Sequence, residues 1–351
     1  MERIPNRDEE SAPQEANPLE SQDFILENEP CYGAVKSLLA KSEFSRSGTE
    51  SANCTIEREG ERFTIEVIES EKDPAINNVC RMLKKTFGVE EVDPPKVTRE
   101  AVEGYSPDWD VRYPKYRIIT IKDERGRLVS VFTGAQLDVL NKNGQPTEES
   151  VYSVGYAATS PKLRQRGLAR EAYTSALIDA SKQARSEGKS LKFAIGECTH
   201  TSEKFWNDVG WKRIYAKTGE KKYAELKYIQ PALDFDEETG KPAKDAGECA
   251  EHLMVDSFGH NPPSVEELKK LHEALLHYNG DWPDAAFESP KAHETHIKYM
   301  DGFKRKFKSF LDAHSSLIFL DAENREKAKK AGVKITEYKA ADRVEAGEED
   351  F

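Results

Sequence analysis

The sequence predicts an α+β protein: a mixed, mostly antiparallel, twisted sheet flanked by helices, with a helical C-terminal extension. Period-two alternation marks short strands between Arg62 and Ile229, helical spacing marks two longer segments among them, and turn residues join neighbouring strands as hairpins. Helical periodicity returns beyond Ser264.

In chain order, Phe63, Ile65 and Val67 alternate with polar neighbours and give a first strand. Ile76, Val79, Cys80, Leu83 and Phe87 recur at helical spacing, with Gly88 as C-cap. After a proline-rich stretch, Tyr116 to Ile121 and Leu128 to Leu137 read as a hairpin around Asp123-Glu124-Arg125-Gly126. Turn chemistry from Asn141 to Pro146 leads to a strand over Val151 to Thr159. A helix starting at Gly167 presents Leu168, Ala172, Tyr173, Ala176 and Leu177 on one face. Leu191 to Ile195 is a short strand, Ser202 to Asp208 a helical turn, and Trp211 to Tyr215 with Tyr223 to Ile229 a further hairpin. Glu251 to Val255 could add one strand, and helices are expected over Ser264 to Tyr278 and Lys291 to Leu317.

This pattern divides the 351 residues into an N-terminal extension over 1–60, a core domain over 61–232 and a C-terminal extension over 233–351. The first 22 residues are polar and acidic, too poor in apolar side chains to offset their ordering entropy, so disorder is expected there. A short helix is expected around Tyr32 to Leu39. The net charge of -12 argues against a protein that grips nucleic acid along a broad basic face. No apolar run approaches the ~20 residues of a membrane span, and the N-terminus lacks the apolar core of a secretion signal. The five cysteines are scattered without any C-x-x-C pair, as reduced thiols would be. A cytoplasmic protein without membrane or nucleic-acid partners is expected.

The chemistry concentrates between Val151 and Tyr173, where a strand passes through a glycine-containing turn into a helix. The first N–H groups of a helix have no internal partner and lie at the positive end of its dipole, so they can hold a phosphate. Gly167 allows close backbone approach, Ala169 is small, and Lys162, Arg164, Arg166 and Arg170 add positive charge. The phosphate-loop and dinucleotide glycine motifs are both absent.

Arg164-Gln165-Arg166-Gly167-Leu168-Ala169 matches the Gln/Arg-x-x-Gly-x-Gly/Ala motif of the GNAT acetyltransferases, which the sequence resembles over roughly Arg62 to Ile229. Phe205-Trp206-Asn207-Asp208-Val209-Gly210-Trp211 resembles the family's second motif, and the order of elements agrees. The resemblance implies a GNAT fold and an acetyl-CoA-dependent N-acetyltransferase, with a small-molecule or peptide amine as acceptor. It implies that backbone at Ala158 and Thr159 binds the pantetheine arm and that Arg164 to Ala169, with Arg170, holds the pyrophosphate. A non-catalytic CoA sensor and an interaction protein are the alternatives.

For the base, Glu197 is the first candidate and His200 the second, with a water relay as a third route. The family often carries an acidic Tyr in its second motif; here that position is Trp206, whose indole gives up no proton at a useful pKa. The acid is then Tyr223, another hydroxyl, or absent. No metal site is expected: His272 and His277 are one residue too far apart for the zinc-helix pattern, and His293 and His296 have no third ligand nearby in sequence. The C-terminal extension could cover the acceptor groove or pair two copies as a homodimer.

Overall fold

The structure, a computed structural model, describes residues 29–48, 51–89, 91–141, 143–199, 201–244, 246–314, 316–337 and, as backbone only, 342–344. The expected disorder of the first 22 residues concerns a stretch outside them.

The described chain opens on α1 (Tyr32–Ala40), followed by β1 (Ser45–Ser47), β2 (Cys54–Arg58) and β3 (Glu61–Ile68). Helices α2 (Ala75–Phe87) and α3 (Pro95–Glu103) and the ribbon β4 (Tyr105–Ser106) with β5 (Val111–Arg112) come next. They lead to β6 (Tyr116–Asp123), β7 (Leu128–Leu140) and β8 (Pro146–Thr159). After α4 (Leu168–Ser186) come β9 (Ser190–Cys198), α5 (Glu203–Asp208), β10 (Lys212–Gly219), β11 (Lys222–Glu225) and β12 (Lys227–Gln230). The remainder is β13 (Glu248–Asp256), α6 (Val265–Gly280), α7 (Pro290–Ala313), β14 (Leu317–Leu320), α8 (Ala322–Lys330), β15 (Lys334–Thr336) and β16 (Asp342–Val344).

One mixed sheet carries the order β1-β2-β3-β6-β7-β8-β9-β13-β10-β11-β15, antiparallel except where β8 meets β9 and β11 meets β15. This is the α+β class expected, but the sheet runs through both expected domain boundaries. At the N-terminal end, β1 and β2 extend it beyond β3, and α1 packs on α4. At the other end β13 is hydrogen-bonded to β9, through Asp256 to His252, and to β10. A strand over 248–256 therefore belongs inside the sheet. The hairpin expected between 211–215 and 223–229 forms only through β11, which pairs with β10, while the rest of its second arm, β12, pairs with β13. The helix expected to reach Leu317 ends at Ala313; Leu317 to Leu320 instead pairs with β10 as β14. Sequence periodicity could not locate these pairings, because a short apolar run reads alike as strand or helix turn.

Buried side chains separate the two faces of the sheet. Under α4 lie Phe132, Tyr152, Val154, Ala194 and Cys198 with α1 and the aromatic group Tyr173, Trp206 and Trp211. On the opposite face two clusters meet: Ile118, Val131 and Ala158 beneath α2 and α3, and Val151, Ile195 and Leu253 beneath α6 and α7. Helix α7 presents Phe303, Phe307 and Leu311 to this core while its Lys304-Arg305-Lys306 run lies on other faces, as amphipathic spacing requires. Tyr116 packs against both clusters and marks the seam between them. Among the described residues, no helix is long and apolar enough to cross a membrane.

Candidate active site

The parallel pairing of β8 with β9 stops at Ser153 and Ile195. One cause is visible in the sequence of β8 against β7. Phe132 pairs with Ala157 but Gly134 pairs with Val154, so two residues, Gly155 and Tyr156, oppose the single Thr133. Such a bulge bends its strand and adds twist. The Thr133 hydroxyl fills the gap by accepting from the Tyr156 amide at 2.7 Å, and it is bonded to the Tyr116 hydroxyl at 2.6 Å. A side chain at Gly155 would come within 2.8 Å of that hydroxyl, so glycine is needed there. Beyond the bulge β8 continues to Thr159 paired to β7 alone, leaving its β9-facing edge open. Ala158 and Thr159, expected to meet the pantetheine arm, are on this open stretch. The bulge also shifts side-chain parity: Tyr152 and Val154 face α4, whereas Tyr156 and Ala158 face α2.

At the end of that strand the chain turns into α4. Gln165 and Gly167 adopt left-handed conformations, with φ of 65° and 88°. Gly167 is the N-cap, and Leu168, 1% exposed, anchors the helix start in the core. Among the described residues, none accepts from the amides of Arg166, Gly167, Leu168 or Ala169. The turn is exposed or half-buried. Unpaired amides at a helix N-terminus form an anion site.

The arginines of the turn divide. Arg164 is exposed and spends only its Nε, which donates to the Thr159 carbonyl at 3.2 Å. Arg166 is drawn away to Glu61 on β3, at 2.7 Å, and lies over the Phe63 ring. Arg170 donates to the Lys41 carbonyl at 2.8 Å, tying α4 to the end of α1. In this structure Arg166 and Arg170 therefore act as tethers, and Arg164 is the guanidinium left facing solvent.

On the opposite face, across the gap from β8, is Glu197. Alternation along β9 sends Ala194 and Cys198 toward α4 and Ile195 toward α6, so Glu197 points to the α6 side. Burial pushes its carboxyl up to about 8, with Glu251 repulsion adding. Glu251 is its diagonal neighbour, since Leu253 is the residue opposite Glu197 in the register. With its amide turned so that nitrogen rather than oxygen faces the carboxylate, Gln230 donates to both Glu197 oxygens at 2.8 and 3.0 Å, which opposes the rise. Tyr156, Tyr228 and Cys249 all feel the Glu197 charge, and burial chiefly holds each of these protons on. Asp93, raised mainly by burial, acts on Tyr156 and Tyr278, and the Tyr156 hydroxyl donates to the Glu91 carbonyl. Tyrosines and carboxylates from six separate segments thus line one region at the seam, on the far side of the β8–β9 gap from α4. Of these, the sequence pointed only to Glu197; the rest are brought in from residues 91–93, 156, 228–230, 249–251 and 278 by pairings no local pattern encodes.

His200 lies outside the described residues. Tyr223 is on β11, three strands from β9, roughly 14 Å at ordinary strand spacing, so the fold does not bring it to Glu197. Trp206 is buried against Phe132, Phe205 and Trp211, with ring centroids 6.1, 4.8 and 5.0 Å away. It is part of the core. His272 stacks on Phe307 at 3.4 Å, and His296 accepts from the Trp282 amide at 3.0 Å, so both imidazoles serve packing.

No family model matches the chain. No curated protein is significantly similar to it in sequence. Among solved structures it is similar to an aminoglycoside acetyltransferase from an uncultured soil metagenomic sample, at 12% identity and TM-score 0.31, over 42% of this chain and 86% of that one. It is similar to an acetyltransferase of Trypanosoma brucei, at 15% identity and TM-score 0.30, over 42% and 91%. It is also similar to a GNAT family N-acetyltransferase of Escherichia coli in complex with CoA, at 12% identity and TM-score 0.32, over 56% and 81%.

Proposed function

We propose that this protein is an acetyl-CoA-dependent N-acetyltransferase acting on a cationic amine. The observation that carries this reading is the open edge of β8 from Val154 to Thr159, which leads straight into the unpaired amides of the Arg166–Ala169 turn. An extended amide-bearing arm ending in a diphosphate fits such an edge and turn as an added strand fits a sheet. The thioester end would then lie in the gap, reachable from the far face where Glu197 stands.

In the reaction, Glu197 takes a proton from the acceptor ammonium, directly or through a water. The freed amine nitrogen attacks the thioester carbonyl carbon, and backbone N–H groups of the open β8 edge stabilise the oxyanion. The C–N bond forms, the C–S bond breaks, and the CoA thiolate leaves; the surplus proton shed by the new amide nitrogen balances the one that converts the thiolate to thiol. A carboxyl raised to about 8 is a better match to an amine proton than an ordinary one. Glu251, Glu91 and Asp93 in the same region supply the negative field that draws a cation. Tyr156, the hydroxyl on the open strand itself, takes over from Tyr223 as the candidate acid. The test is incubation with labelled acetyl-CoA and a panel of mono-, di- and polyamines, followed by mass spectrometry. Acetylated amine formed by the wild type, and about 10²-fold more slowly by Glu197→Gln, is expected; tight CoA binding without product on any amine would favour a sensor.

A further inference from the structure

Two residues of the phosphate-binding turn are left-handed, and Gln165 has no glycine freedom to make this cheap. Such conformations persist where the surroundings over-determine them. The surroundings here come from the N-terminal segment. Arg58, at the end of β2, donates from Nη1 to the carbonyl of Arg166 at 2.7 Å. Its other terminal nitrogen is ion-paired with Glu43, and its plane lies over the Phe44 ring, 5.5 Å from the centroid. Phe44 is buried, meets Phe63 edge-on, and would lie 3.4 Å from any Cβ placed on Gly167. Glu61, directly opposite Arg58 in the β2–β3 hairpin, holds the Arg166 guanidinium. The peptide between Arg166 and Gly167 is thus gripped at its carbonyl, while its N–H side stays open.

We infer that Arg58 is a positioning residue for the CoA diphosphate. By holding the Arg166 carbonyl it turns the Gly167 amide outward, so cofactor affinity depends on a side chain more than a hundred residues away in sequence that touches no phosphate itself. The inference rests on the reading of this turn as the CoA cradle. A side-chain hydrogen bond from a cation to a buried-side carbonyl is among the stronger kinds, which suits it to outweigh the strain at Gln165.

The test is isothermal titration of CoA into the full-length wild type, Arg58→Ala, Arg58→Lys, Glu43→Gln and Glu57→Ala. Glu57 is exposed on the same strand and serves as the control. Arg58→Ala is expected to weaken CoA binding about tenfold while the ligand-free melting temperature moves by only about 3 °C. Arg58→Lys, which can still reach the carbonyl, recovers most of the affinity, and Glu57→Ala changes nothing. Should Arg58→Ala fail to fold, Glu43→Gln carries the test, since that carboxylate is exposed; threefold weaker binding is expected and unchanged binding overturns the inference. Wild-type binding that Arg58→Ala leaves unchanged overturns the positioning role alone. No binding by the wild type overturns the cradle reading and this inference with it.

Discussion

Glu197 has the environment of a base tuned by burial, and two consequences follow from the direction of its shift. Replacement by Gln keeps the shape and the Gln230 contact but removes the proton acceptor, so kcat/KM should fall about 10²-fold or more. The rise of the wild-type rate with pH through about 8 should vanish in the variant. The second consequence is thermodynamic. A carboxyl whose folded pKa exceeds its ordinary 4.5 holds its proton more tightly when folded. Its stabilising contribution is complete below pH 4.5 and lost as pH rises toward 8. Urea titrations at both ends of that window should show the wild type losing more stability than Glu197→Gln; equal losses contradict a raised Glu197 carboxyl. At Gly167, a change to Ala forces a left-handed L-residue and should cost about 1–2 kcal/mol, read by thermal melting. CoA affinity should fall with it.

At the scale of elements, the strand–turn–helix unit from Val151 to α4 was legible because its signals are local: alternation, a turn glycine, then helical spacing. The open edge beside it was not, because the bulge at Gly155 and Tyr156 depends on which residues of β7 stand opposite. Glu197 could be named from its place at a strand end; Glu251 and Gln230 could not, since they reach it only through the pairings of β13 with β9 and with β12. Trp206 illustrates the opposite case. Its lack of a useful proton was evident from chemistry, and its packing among Phe132, Phe205 and Trp211 supplies the reason it is there. Trp206→Ala should therefore lower stability by about 3–5 kcal/mol. Trp206→Phe should keep both fold and turnover, which an acid at this position would not allow.

For the whole molecule, the C-terminal third is part of one sheet. Strand β13 lies between β9 and β10, so a chain ending at Ala232 leaves two interior edges unpaired and should fail to unfold cooperatively in a calorimeter. A buried ionic network fastens the last helix as well. Glu203 binds Arg213 at 2.5 Å and is also paired with Arg325, while Arg213 reaches Glu225 at 3.3 Å and Glu337 at 3.5 Å. Removing one member of such a group strands the others in low dielectric. Arg325→Ala should cost about 3 kcal/mol by denaturant unfolding, and a loss near zero would show that α8 docks without the network.

The proposed activity requires a ligand that lies along β8 and ends at the α4 turn. Hydrogen–deuterium exchange of the full chain with and without CoA reads this directly. Slower exchange confined to peptides covering 154–169 is the expected result. Saturable CoA binding with protection elsewhere, or no change in those peptides at millimolar CoA, would contradict it.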